Sequence, residues 1–160
     1  MNFCIRRMTL DDLPQVIAID QASFSLPWPE RTFRFEITDN PASRCWVVES
    51  DGRIAAMLVL WLIVDEAHIA TIATQAEFRR QGVGQLLLAH ALKSARDEGA
   101  LSAFLEVRES NIPARQMYLR NGFVEQGRRP RYYKDNNEDA ILMKLESLNV
   151  QRLTFNGGTE

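Results

Sequence analysis

Cysteine and histidine are scarce in this chain: its 160 residues hold two of each, Cys4, Cys45, His68 and His90. No CxxC pair occurs, and neither histidine has a partner at the spacing of a metal site or a catalytic triad. No metal is therefore expected, and the cysteines, both in strand-like segments, read as small buried hydrophobes. The longest apolar run, residues 54–64, is too short to cross a bilayer. The opening Met-Asn-Phe-Cys-Ile-Arg-Arg lacks the apolar core of a signal peptide. Both absences predict a cytoplasmic protein with no membrane contact. A surplus of positive charge is also missing. The net charge of -2 and pI near 5.8 give no field for holding nucleic acid directly, though a mildly acidic surface does not repel a basic protein.

What is present suffices for one core. With 46% hydrophobic and 25% charged residues and no repeat, linker or low-complexity tract, the chain reads as a single domain over residues 1–147 with an unassigned tail, 148–160. Residues 3–8 read as a strand, and Thr9 or Asp11 caps a helix whose apolar face includes Leu13, Val16 and Ile17. Pro29 starts a second helix carrying Phe33 and Ile37. Residues 45–49 and 53–64, joined by Asp51-Gly52, predict a hairpin, and Asp65-Glu66 turns the chain into a third strand reaching Thr74. The middle strand is nearly all apolar, as for one covered on both faces. A helix with Leu86, Leu87, Leu88, Ala91, Leu92 and Ala95 inward stops at Gly99. Residues 103–107 form a strand, 112–121 a helix, and 123–128 with 140–145 a last strand pair. The sum is an α/β (α+β) domain with a mixed, largely antiparallel sheet flanked by helices.

Chemistry concentrates in Arg79-Arg80-Gln81-Gly82-Val83-Gly84, between the third strand and the long helix. Glycine lets a ligand approach the backbone, and the helix start points free N–H groups and its positive dipole end into the loop. A phosphate suits that position. The third glycine of a dinucleotide-binding turn and the Gly-Lys-Ser/Thr of a Walker loop are both missing.

This two-glycine loop after a strand resembles the pyrophosphate loop of the GCN5-related N-acetyltransferases, which bind acetyl-CoA. The likeness extends over residues 3–146 and is carried by Leu26-Pro27-Trp28, Asp65-Glu66-Ala67, Leu105-Glu106-Val107-Arg108-Glu109-Ser110-Asn111, Tyr118 with Asn121-Gly122-Phe123, Arg131-Tyr132-Tyr133, and Glu138-Asp139-Ala140-Ile141-Leu142-Met143. Within that superfamily it is similar to the branch that acetylates ribosomal proteins at an N-terminal alanine. Departures are Gln75-Ala76, where relatives often have Asp-Pro, and Lys134, where proline commonly follows the paired tyrosines.

The resemblance implies acetyl-CoA as co-substrate, no metal, and as acceptor a basic protein or peptide N-terminus, a ribosomal one. It implies that the backbone of Ile72, Ala73 and Thr74 holds the pantetheine arm and polarises the thioester, that Arg79, Arg80, Gln81, Gly82, Val83 and Gly84 take the pyrophosphate, and that Asn111 is a further cofactor contact. Glu106 is implied as proton acceptor, directly or through water, and Tyr118 as proton donor to the thiolate, by direct attack. From the residues alone, Glu106 is the one acid among apolar strand neighbours, and burial disfavours a charged carboxylate and suits it to general-base work. A phenol of ordinary pKa near 10 is roughly matched to a thiol near 8.5. Trp28, Tyr132 and Tyr133, read as turn residues, are implied as walls of the acceptor groove. An α-amine with a pKa near 8 is about a tenth neutral at pH 7, against about one part in two thousand for lysine, which favours an α-amine acceptor. Acetylation of a small-molecule amine and non-catalytic acyl-CoA sensing remain alternatives.

Overall fold

The computed structural model describes residues 2–148. Seven strands, β1 (Cys4–Arg7), β2 (Ser43–Ser50), β3 (Arg53–Ile63), β4 (Glu66–Thr74), β5 (Ser102–Arg108), β6 (Val124–Tyr133) and β7 (Glu138–Leu145), form one sheet in the order β1-β2-β3-β4-β5-β7-β6. Every pairing is antiparallel except β4 with β5. The helices are α1 (Leu13–Ser23), α2 (Glu30–Thr38), α3 (Val83–Asp97) and α4 (Ile112–Arg120). Among the described residues no helix is long and apolar enough to cross a membrane.

Local chemistry explains most of these boundaries. Asp51 and Gly52 take φ of 51° and 79°, the paired positive values of the tight turn whose twist matches a hairpin. Asp12, at the start of α1, accepts Thr9 N–H at 2.8 Å and a two-pronged bond from Arg6 at 2.8 and 2.9 Å, which ties β1 to the helix. α2 begins directly after Pro29, and Gly99 follows α3 at φ 106°.

The sheet carries a core on each face. Under α3 and α4 lie Leu58, Leu60, Leu87, Leu88, Leu92, Leu105 and Ile141, all nearly sealed from solvent. Under α1 and α2 lie Leu13, Val16, Phe33, Val47, Met57 and Val59. Each such side chain contributes about 1.5–3 kcal/mol by leaving water. β3 is buried from Ile54 to Leu60 because both cores meet on it. α1 and α2 pack over β2, β3 and β4.

Three expectations need correction. Cys45 is buried, but Cys4 is exposed on the edge strand β1. β6 runs on to Tyr133, so Tyr132 and Tyr133 are strand residues and not turn residues. The expected strand stopped at 128; β6 continues through Pro130 because it is an edge strand with register shifts at 125–127 and 129–133, where proline's missing donor costs little. Finally, Leu148 is buried and donates its N–H to Leu101, so the core reaches one residue past the expected boundary. The rest of the expected tail, 149–160, lies outside the described residues.

Candidate active site

The sheet comes apart in its middle. β4 and β5 pair from Glu66 with Ser102 to Ile69 with Leu105, and there the pairing ends. Beyond it β4 stays with β3 as far as Thr74, and β5 stays with β7 as far as Arg108, so a cleft opens between them. A bulge begins the separation: Val59 pairs with Thr71 and Leu60 with Ile69, leaving Ala70 as an extra residue. The bulge also reverses the alternation of faces. Ala67, Ile69 and Ile72 join the α3 core, while Ala70 and Ala73 join the α1 core.

Strand geometry then decides which backbone groups line the cleft. Gln75 donates its N–H to Ala55 of β3, so Ala73, two residues earlier, is turned to β3 as well, and Ile72 and Thr74 face the cleft. Of the three residues expected to hold a cofactor arm, this leaves Ile72 and Thr74. The Thr74 carbonyl accepts from Arg79 Nε at 3.1 Å, which anchors the loop that follows.

That loop ends on Gly82, at φ 78° and ψ 10°, as the N-terminal cap of α3, with Arg80 also left-handed at φ 64°. Leu86 N–H bonds to Gly82 O at 3.0 Å. The amides of Val83, Gly84 and Gln85 precede it and have no acceptor within their own helix. At Gly84 a Cβ would meet Thr74 Oγ1 at 3.3 Å and Met117 Sδ at 3.6 Å, so a side chain there would crowd the end of β4 and require Thr74 to give way. A left-handed cap, open amides and a positive dipole end suit a pyrophosphate.

Glu106 lies on the face of β5 opposite α3 and α4, its side chain 19% exposed. The expectation of a lone acid is corrected: Arg129 Nε, reaching across β7, is 2.7 Å from Glu106 Oε2. His68 stands on the same face, its ring stacked on Phe104 at 4.4 Å and edge-on to Trp61 at 5.1 Å. Burial pulls its imidazole below the usual range against the opposing pull of Glu106, so it is neutral at pH 7.

Tyr118 is buried in the other core, its ring 5.7 Å from that of Phe123. Burial, with a smaller effect from Tyr133, pushes its phenol well above the ordinary range, correcting the expected match to a thiol. Glu106 and Tyr118 thus lie on opposite faces of the sheet.

The expected wall residues stand on the open face. Trp28 donates its N–H to Asp20 Oδ2 at 2.7 Å and lies parallel to Trp61, 6.5 Å away. Burial raises the Asp20 carboxyl against that bond. Tyr132 and Tyr133 meet edge-on at 5.1 Å. The Tyr133 phenol is pushed up to about 12, first by burial, with Arg108 opposing and Glu106 adding. Asn111 caps α4, accepting Ala114 N–H at 3.3 Å. Sequence reasoning missed Asp20, Arg129 and the reciprocal amide pair of Gln85 and Asn121, at 2.7 and 2.8 Å, which ties α3 to α4. Among the described residues no cluster of His, Cys, Asp and Glu is arranged to hold a metal.

Residues 13–123 match the acetyltransferase (GNAT) family. The chain is a GNAT acetyltransferase. It is 34% identical over 145 residues, 88% of this chain and 95% of the other, to the ribosomal protein bS18-alanine N-acetyltransferase of Escherichia coli (strain K12). A Bacillus subtilis (strain 168) protein whose assignment to that activity is itself provisional is 37% identical over 139 residues, covering 87% of this chain and 92% of its own. The crystal structure of the ribosomal-protein-S18-alanine N-acetyltransferase from Escherichia coli superimposes with a TM-score of 0.82 at 33% identity, covering 90% of this chain and 93% of that one. As a GNAT acetyltransferase, this protein takes its acetyl group from acetyl-CoA.

Proposed function

We propose that this acetyltransferase modifies the α-amine of a protein N-terminus that begins with alanine, a ribosomal protein being the favoured acceptor. The observation that carries the reading is the match, over nearly nine-tenths of the chain, to enzymes named for that reaction. The open face supports it. Trp28 and the Tyr132-Tyr133 pair are assigned as the walls of the acceptor groove, joined to each other and to the strand of Glu106 through Ser25, Asp135 and Arg108.

Acetyl-CoA supplies the activated acetyl group and a thiolate leaving group. Ile72 and Thr74 offer backbone groups to its arm and to the thioester carbonyl, while the loop from Arg79 through Arg80, Gln81, Gly82 and Val83 to Gly84 binds its pyrophosphate. Asn111, the N-terminal cap of α4, is assigned as a further contact for acetyl-CoA. Glu106 receives the amine's proton on the open face, directly or through one water, with Arg129 orienting its carboxylate. Tyr118 holds a proton at its hydroxyl on the α4 face, where the departing sulfur needs one. Attack is direct, and no covalent enzyme intermediate is required.

A panel of peptides differing only in the first residue, incubated with acetyl-CoA and read by mass spectrometry, tests the reading. Alanine is expected to be acetylated fastest, with other small residues next. A rate independent of the first residue would refute it.

A further inference from the structure

Arg108, at the end of β5, is the point where three parts of the groove meet. Its Nη2 donates to Ser25 Oγ at 3.2 Å and to Asp135 Oδ1 and Oδ2 at 3.0 and 3.1 Å. Its Nη1 donates to Asn136 Oδ1 at 3.2 Å and Glu138 Oε1 at 3.3 Å, and its guanidinium lies 4.0 Å from the Tyr133 ring centre. Ser25 Oγ donates in turn to Asp135. Ser25 belongs to the α1–α2 connection three residues before Trp28; Asp135, Asn136 and Glu138 belong to the β6–β7 hairpin that carries Tyr132 and Tyr133.

We propose that Arg108 is a positioning residue that sets the width of the acceptor groove, fastening both of its walls to the strand that carries Glu106. This rests on the reading of that groove given above. Both terminal nitrogens are occupied by the walls and one ring face covers the guanidinium, so Arg108 has little left to offer a substrate and acts through what it holds. A planar fork is suited to this, since it meets acceptors on two sides at once. The carboxylates it gathers are largely shielded, with side-chain exposures of 26% at Asp135 and 14% at Glu138. Without that cation the two carboxylates would repel each other within the hairpin, and of these contacts only the Ser25–Asp135 bond would still tie it to the α1–α2 connection. Trp28 would keep its bond to Asp20 and its packing on Trp61 and Phe33 but lose the tie through Ser25 to the strand of Glu106.

Arg108→Met removes the fork and keeps the length of the side chain. Ser25→Ala removes the bonds that join Arg108 and Asp135 to the α1–α2 connection, and Asp135→Ala removes the acceptor that Arg108 and Ser25 share; each weakens the bridge while leaving Arg108 on Glu138, and both carry the test if Arg108→Met fails to fold. For each, acetyl-CoA affinity is measured by calorimetry, and KM and kcat for alanine- and leucine-initiated peptides in steady state. Arg108→Met is expected to raise KM for the alanine peptide about tenfold and to narrow the preference for alanine over leucine, with kcat and acetyl-CoA affinity changed less than about twofold. The bridge variants follow the same pattern more weakly. Folded bridge variants with wild-type KM and wild-type preference would overturn the proposal, as would a fall in kcat and cofactor affinity with KM unmoved. Hydrogen exchange separates this from the functional reading. If wild-type protein acetylates no N-terminus, that reading fails, while faster exchange of the amides of Phe24, Ser25, Leu26 and Trp28 in the variants still supports the clamp and unchanged exchange rejects it.

Discussion

Two glycines two residues apart in the cofactor loop respond to the same substitution for different reasons. Gly82 sits at φ 78° with nothing within 4 Å of where a Cβ would stand, so alanine there meets no clash but must hold a left-handed backbone. That costs about 1 kcal/mol net of the stiffening of the unfolded chain, which lowers Tm by about 2–4 °C in a domain of this size. The new methyl stands where a bound pyrophosphate would approach the open amides of Val83, Gly84 and Gln85. Acetyl-CoA affinity should therefore fall at least about tenfold, or 1.4 kcal/mol. Gly84 lies inside α3, where alanine gains up to about 1 kcal/mol of helix propensity. Its Cβ would press on Thr74 Oγ1 at 3.3 Å, a contact that rotation of Thr74 relieves at similar cost. Gly84→Ala should thus stay within about 0.5 kcal/mol of wild-type stability while disturbing the end of β4. Urea denaturation and titration calorimetry with acetyl-CoA on both variants give the four numbers. A folded Gly82→Ala protein with wild-type affinity would refute the placement of the pyrophosphate.

Glu106→Gln should lose about 10²- to 10⁴-fold in rate at pH 7, and the loss should shrink as pH rises toward the α-amine pKa near 8, because the acceptor then arrives deprotonated. Tyr118→Phe should lower kcat with little change in acetyl-CoA affinity and show no such recovery; a pH–rate series on both checks this, and full activity of either at neutral pH removes that residue from the mechanism. Burial works to raise the Asp12 carboxyl, but its bonds from Arg6 and Thr9 outweigh this and hold it below its ordinary 3.8. A depressed folded pKa gives stability that is present above the unfolded value and lost as pH falls through the folded one. Asp12→Asn should therefore cost about 1.5–3 kcal/mol at pH 7, and urea melts should show the gap closing below about pH 4; a gap constant down to pH 3 would count against the pair.

The loop and α3 were legible because their constraints are local: a left-handed glycine, a second glycine packed closely on the end of β4, and a leucine face at helical spacing. The β2–β3 hairpin was legible for the same reason, through Asp51-Gly52. The bulge at Ala70 was not, because Ala70, Thr71, Ile72 and Ala73 differ too little in polarity to reveal that their faces reverse. The length of β6 was hidden by Pro130, whose effect depends on whether the strand is an edge. Arg129 reaches Glu106 across an intervening strand, and Gln85 finds Asn121 on another helix, so only the assembled sheet and its helices reveal these partners. The pairing of β4 with β5 for four residues and no more is likewise a property of the whole sheet.

The central claim is that this GNAT acetyltransferase acts on a protein's α-amine. The most direct test offers the wild-type protein acetyl-CoA and one alanine-initiated peptide that also carries an internal lysine, and locates the acetyl group by tandem mass spectrometry. A single acetyl on the N-terminal nitrogen is expected, with no transfer when that nitrogen is blocked beforehand. Acetylation of the lysine in the blocked peptide, at a rate like that of the free N-terminus, would contradict it.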